Sequence, residues 1–185
     1  VIVDNCIISR SNRGLSIQIR DGGNVENVTY SNCIVETPRF CPDWWGTAEP
    51  IVITTFNRDE NTKSGKIKNI RFRNITCKGE NGILIHGTED NPIEDVTLEN
   101  VRVTLTKTSK WDCGIYDLRP GIDVDITKSK NSCIYIKNAK DVLIEKCRAD
   151  FGNVCDAYAH GLYCENVENL ETLRFSASSA HEGEE

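Results

Sequence analysis

The chain has 185 residues, 22 Lys+Arg against 28 Asp+Glu and a formal net charge of -6, a size suited to one domain with a real core. That charge excludes a nucleic-acid binder, whose partner is held by clustered cations. No apolar run approaches the roughly 20 residues that a membrane-spanning helix requires.

The elements follow one another in a recurring phrase. Residue 1 is Val, and the chain opens directly in apolar alternation, Val1-Ile-Val-Asp-Asn-Cys. Alternation returns at Leu15-Ser-Ile-Gln-Ile, then in Val25-Glu-Asn-Val-Thr-Tyr-Ser-Asn-Cys, Ile67-Lys-Asn-Ile-Arg-Phe-Arg-Asn-Ile and Ile93-Glu-Asp-Val-Thr-Leu-Glu-Asn-Val. Weaker copies are Ala139-Lys-Asp-Val-Leu-Ile-Glu-Lys-Cys and Val167-Glu-Asn-Leu-Glu. Aligned on one apolar position, the copies fall at Val1, Val28, Ile70, Val96, Val142 and Leu170, in steps of 27, 42, 26, 46 and 28. A unit of about 27 residues, lengthened twice by insertions of about 15 and 19, is the period of a solenoid. Short alternating Val/Ile runs between Gly, Asn and Asp turns are strands. Stacked, such units form a parallel β-helix, one apolar side of every strand facing the lumen.

The expected fold is therefore all-β, a parallel β-helix solenoid of about six coils with two loop insertions over residues 1–176, followed by a disordered acidic tail at 177–185. Asn5, Asn32, Asn74 and Asn100 occupy equivalent turns, where stacked amides ladder from coil to coil. Cys6, Cys33 and Cys147 share the next position and should line a lumen column. Most of the nine cysteines sit in strand contexts as small hydrophobes; Cys41, Cys113 and Cys155 are the loop exceptions. A first coil that starts in mid-repeat leaves strand edges uncovered, so further coils are expected upstream, or else an oligomeric contact at that end.

In a solenoid the insertions carry function. The first, 37–50, sets Trp44 and Trp45 beside Arg39, Asp43 and Glu49; the second, 109–125, adds Trp111, Tyr116, Asp117 and Arg119. An exposed indole offers a flat apolar face with one donor, which suits a sugar ring. If both loops interrupt the same turn, they form one wall of a groove. Glycoside hydrolysis needs paired carboxylates, and neighbouring pairs such as Asp123 with Asp125 or Asp59 with Glu60 are what any acidic protein scatters. No metal-ligand spacing, phosphate loop or nucleophile elbow is present in the sequence, so no metal and no cofactor is expected.

Arg13-Gly-Leu-Ser-Ile-Gln-Ile-Arg through Asn32-Cys33, Trp44-Trp-Gly-Thr-Ala-Glu-Pro-Ile, Gly79-Glu-Asn-Gly-Ile, Ser109-Lys-Trp and Tyr116-Asp-Leu-Arg-Pro together resemble the C-terminal half of polygalacturonase-like enzymes, glycoside hydrolase family 28. The resemblance runs over essentially the whole chain. It implies a right-handed β-helix of the pectin-lyase-like type, and inverting, metal-free hydrolysis of pectin-type polysaccharide by aspartates. The family's Asn-x-Asp, Asp-Asp and Gly-His-Gly motifs lie on coils before this region and are not found here, so no catalytic residue is assigned. The family's Arg-Ile-Lys falls at Ser16-Ile17-Gln18, with Gln18-Ile19-Arg20 the nearer chemical match. The implied substrate contacts are Arg13, Gln18, Arg20, Trp44, Trp45, Glu49, Trp111 and Arg119. The alternative is a carbohydrate-binding or structural β-helix without catalysis. The compartment is not legible: free thiols point to a reducing one, polysaccharide degradation to export.

Overall fold

The computed structural model describes residues 1–42 and 44–181. Its strands are β1 (Ile2–Asp4), β2 (Ile7–Ile8), β3 (Arg13–Ile19), β4 (Val25–Thr37), β5 (Glu49–Thr55), β6 (Ile67–Gly79), β7 (Ile83–His86), β8 (Ile93–Leu105), β9 (Ile115–Asp117), β10 (Ile126–Lys128), β11 (Ile134–Glu145), β12 (Arg148–Phe151), β13 (Leu162–Leu173) and β14 (Ser176–Ala177). All but β9 and β10 pair in parallel with the strand one coil away, which is the parallel β-helix.

Three faces result. The first is β3, β5, β7 and the opening residues of β11 and β13; the second is β1, the first halves of β4, β6 and β8, and the second halves of β11 and β13. The third is β2, the second halves of β4, β6 and β8, then β12 and β14. Val28 pairs with Ile70, Ile70 with Val96, Val96 with Val142 and Val142 with Leu170, the register that the repeat spacing predicts. Alternation sends Ile17, Ile53, Ile85 and Ile136 inward from the first face, and Phe72, Leu98 and Ile144 from the second; all are buried. Cys33 and Cys147 are buried in the predicted lumen column, and Cys6 packs against it from the first coil.

The corner between second and third faces is turned by Asn5, Asn32, Asn74 and Asn100, each at a φ of 52 to 55°. A left-handed residue costs an L side chain roughly 1–2 kcal/mol, and Asn tolerates it better than other non-glycine residues because its amide bonds locally. Here the amides bond along the rod. Asn100 Nδ2 donates to Asn74 Oδ1 at 2.9 Å, Asn74 Nδ2 to Asn32 Oδ1 at 3.0 Å, and Asn32 Nδ2 to Asp4 Oδ1 at 2.8 Å. A second corner repeats the device with Asn27, Asn69, Asp95, Asp141 and Asn169, where Asn169 Nδ2 donates to Asp141 Oδ1 at 2.9 Å.

Two expectations need correction. The extra length between Val28 and Ile70 is not one insertion. It is divided between 38–48, before the first face, and 56–66, after it, because a repeat step gives only the total added around a coil. The tail is not free from residue 177 onward: Ser176 and Ala177 pair with β12, and the Ser178 and Ala180 N–H groups donate to the Ala149 and Ala159 carbonyls at 3.0 and 2.8 Å. The acidic remainder, 182–185, lies outside the described residues, as does Asp43.

The Asn ladder separates strain from hydrogen bonding. Replacing Asn74 by Ala should cost about 1–2 kcal/mol, because both the left-handed corner and two amide bonds suffer. Asn74→Gly should lose distinctly less, since glycine accepts positive φ freely. Urea unfolding midpoints of the two variants check this, and equal losses would place the whole effect in the side-chain bonds.

Candidate functional site

The site is built on the outward side of the first face. β3 buries Leu15, Ile17 and Ile19, leaving Ser16 exposed and Gln18 half-buried on the outer surface. Gln18 Nε2 has no hydrogen-bond partner among the described residues. One and two coils further along, the outward positions are Val52 and Leu84, which are fully buried. They are roofed by Tyr116 and Leu118, which with Phe56 form a second hydrophobic cluster. The roof is the antiparallel pair β9 and β10, held in the second insertion. The outer face is thus open at β3 and covered at β5 and β7.

Both insertions do leave the same turn, the one from third to first face: residues 38–48 precede β5, and 106–131 lie between β8 and β11. Buried carboxylates join them. Asp117, fully buried, accepts from the Gly46 N–H at 2.9 Å in the first insertion, and from Arg119 N, Nε and Nη2 at 3.1, 2.9 and 3.1 Å in the second. Arg13 at the start of β3 reaches the Asp117 carbonyl with Nη2 at 3.1 Å, and its Nε stands 3.6 Å from the buried Glu49 carboxylate. Glu49 accepts from the Thr47 N–H at 2.7 Å and its hydroxyl at 2.5 Å. Burial alone would raise Asp117, but hydrogen bonds from Arg119 and Gly46 and the charge of Arg13 hold it below the usual carboxylate range.

Glu80 is the second joint. Its carboxylate accepts from the Arg39 N–H at 3.1 Å in the first insertion, and from Thr108 Oγ1 at 2.6 Å, Ser109 Oγ at 2.8 Å and Lys107 Nζ at 3.2 Å in the second. Here too the upward push of burial is outweighed by these donors, and Glu80 is held low. Arg39, buried, donates to the Asp112 carbonyl.

Of the eight nominated contacts, Arg13, Glu49 and Arg119 come together in this clamp. Arg20 is buried beneath the roof: Nε donates to the Pro120 carbonyl, Nη2 to Leu118 O at 3.1 Å and Thr54 Oγ1 at 2.9 Å, and its guanidinium lies 5.2 Å over the Phe56 ring. Burial and the nearby Arg13 push it down to about 10, still charged at neutral pH. Arg20 and Glu49 are thus anchors of the wall, not groups on its surface. Trp44 and Trp45 are 69% and 51% exposed, with ring centroids 6.1 Å apart. Trp111 stands apart from the others. It lies under Lys110 Nζ at 4.8 Å and lines a cavity of about 510 Å³ with Cys113 and Cys155. Glu80 was not nominated from the sequence; its signal was a Glu-Asn pair at a tight, uninterrupted turn, where a charged residue has no local reason to be buried.

The family model described as glycosyl hydrolases family 28 matches residues 1–118. The curated endo-polygalacturonase of Pectobacterium carotovorum subsp. carotovorum is 29% identical over 114 residues, which is 60% of this chain and 26% of that protein. The chain therefore spans about a quarter of the length of that relative. A solved structure from Parabacteroides merdae overlaps 97% of this chain and 80% of its own at a TM-score of 0.40 and 12% identity, too loose a match to carry an argument.

Because Asp117 and Glu80 titrate lower folded than unfolded, what their ionisation adds to stability is complete above about pH 4.5 and fades as pH falls through their depressed folded values. Asp117→Asn should cost roughly 2–4 kcal/mol, since it removes the charge paired with Arg119 and leaves Arg13 only Glu49 as counter-charge, and should flatten the acid limb. Chemical denaturation across pH 3 to 7 measures both effects; an unchanged acid limb would remove Asp117 from the account.

Proposed function

The chain belongs to family 28 of the glycosyl hydrolases, and from that premise we propose that it is the C-terminal β-helix part of a glycoside hydrolase acting on pectin-type polysaccharide. Its share of the work is the substrate groove. The observation that carries this is the clamp: two insertions leave one turn, are joined through Asp117 and Glu80, and are anchored to β3, whose outward Ser16 remains open beside the roofed Val52 and Leu84. Trp44 and Trp45 supply exposed indole faces on the first insertion, the type of surface on which a pyranose ring stacks. Arg119, with about a third of its side chain exposed, supplies cationic edge to a carboxylated sugar.

Catalysis is assigned to coils preceding Val1. An inverting glycosidase needs one carboxyl kept protonated as acid and a second as base, roughly 6.5–9.5 Å apart. Asp117 and Glu80 are held low by multiple donors, the opposite of what a general acid requires. The first coil, in turn, leaves Val1 80% exposed and its lumen-side Val3, Cys6 and Ile8 only partly buried, an apolar end that a preceding coil would cover. The relative named endo-polygalacturonase, four times as long as the matched stretch, supports the substrate class.

Titrating the 185-residue chain with pectic oligosaccharides should show binding without release of reducing ends. Replacing Trp44 and Trp45 together by Ala should weaken that binding about tenfold or more, the worth of one lost stacking face, with the fold intact by circular dichroism. Turnover by the isolated chain would overturn the placement of catalysis; undiminished binding in the double variant would remove the tryptophans. No binding at all would favour the structural β-helix.

A further inference from the structure

Cys113 and Cys155 are two of the loop cysteines that stand outside the lumen columns. Cys113 belongs to the second insertion, just before β9, and Cys155 to the turn between β12 and β13. Their sulfurs are 3.4 Å apart, though the residues are 42 apart in sequence. The backbones that carry them are joined through one buried residue. Asn131 Oδ1 accepts from the Gly114 N–H at 2.7 Å, while the Asn131 N–H donates to the Ala157 carbonyl at 2.7 Å. The Tyr158 N–H closes a turn back onto the Cys155 carbonyl at 2.9 Å. Neither cysteine is sealed off: both are half-buried, and both line the cavity of about 510 Å³ bordered by Lys107, Trp111, Lys128 and Asp156. The lumen thiols differ. Cys33, Cys77, Cys133 and Cys147 are buried among apolar side chains, where an oxidant has no access.

We propose that Cys113 and Cys155 form a disulfide on exposure to a disulfide oxidant such as glutathione disulfide, a covalent staple that fastens the second insertion to the fifth coil. One thiolate attacks a sulfur of glutathione disulfide and releases one glutathione. The other thiolate then attacks the protein sulfur of the mixed disulfide and releases the second, so that two protons and two electrons leave the thiols and one S–S bond forms. The insertion is already placed by Asn131, so closure asks for little backbone movement, and linking two segments far apart in sequence restricts the unfolded chain. The staple does not depend on the reaction proposed above, and a failure of one leaves the other standing.

The test is to incubate the whole chain with glutathione disulfide, block the remaining thiols with N-ethylmaleimide in denaturant, digest without reduction and map the peptides by mass spectrometry. The expected product is a single link between the Cys113 and Cys155 peptides, with the other seven cysteines alkylated. Alkylation of both, a link from either to Cys41, or glutathione retained on either overturns the proposal. As a second measurement, the oxidised chain should melt about 4–15 °C above the reduced one. Cys155→Ser, which keeps a small polar side chain at the turn, should show no such difference; a shift equal to that of the unsubstituted chain also overturns it.

Discussion

Between the two ends of the rod, each strand takes its hydrogen bonds from the coil before and the coil after, so no inner coil can change its register alone. This constraint governs the rest. A lumen position in one coil is a lumen position in all, which is why Val28, Ile70, Val96 and Val142 are buried in one line. The corners must repeat as well, and residues with φ near 50 to 58° recur at both of them. Added sequence can enter only where the ladder is interrupted, that is at a turn, and the two additions that form the clamp share one turn.

Once there, the insertions are made part of the fold by two different means. Tyr116 and Leu118 bury the outward side of β5 and β7, turning what would be solvent-facing strand surface into a second core. The polar junctions use Asp117, Glu49 and Glu80, each removed from water and each given several donors. Removing a carboxylate from water is costly, and its pairing seldom returns a large net gain in stability. What such groups fix is position. Asp117 takes hydrogen bonds from residues on both insertions, so the tryptophan-bearing segment and the Arg119 segment are placed relative to each other and to β3.

What could be seen in the sequence was whatever the repeat imposes. The anchors from Val1 to Leu170 gave the register to the residue, because a β-helix permits no slip and the Asn corners mark it locally. The lumen position of Cys33 and Cys147 followed from the same template. What escaped depended on contacts made across the insertions. Arg20 ends an alternating run and has the look of a surface base; its burial comes from carbonyls at Leu118 and Pro120, 98 and 100 residues away. Glu80 has donors from 27 to 41 residues off. No local pattern announces such partners. Trp44 and Trp45 were legible as a pair, whereas the place of Trp111 in a cavity with Cys113 and Cys155 was not.

The asparagine corners also give the rod a polarity. From Asn100 to Asn74 to Asn32, each side-chain N–H points to the oxygen of the coil before it, so the amide dipoles are aligned head to tail and reinforce one another along the row. Such a row has a positive end. It terminates on a carboxylate: Asp4 accepts from Asn32, Ser31 and Asn5 at 2.8, 2.6 and 2.8 Å, and the bonds from Ser31 and Asn32 hold it below the usual carboxylate range. The row therefore acts as a small electrostatic axis beside the backbone, with an anion seated where its partial positive charge gathers.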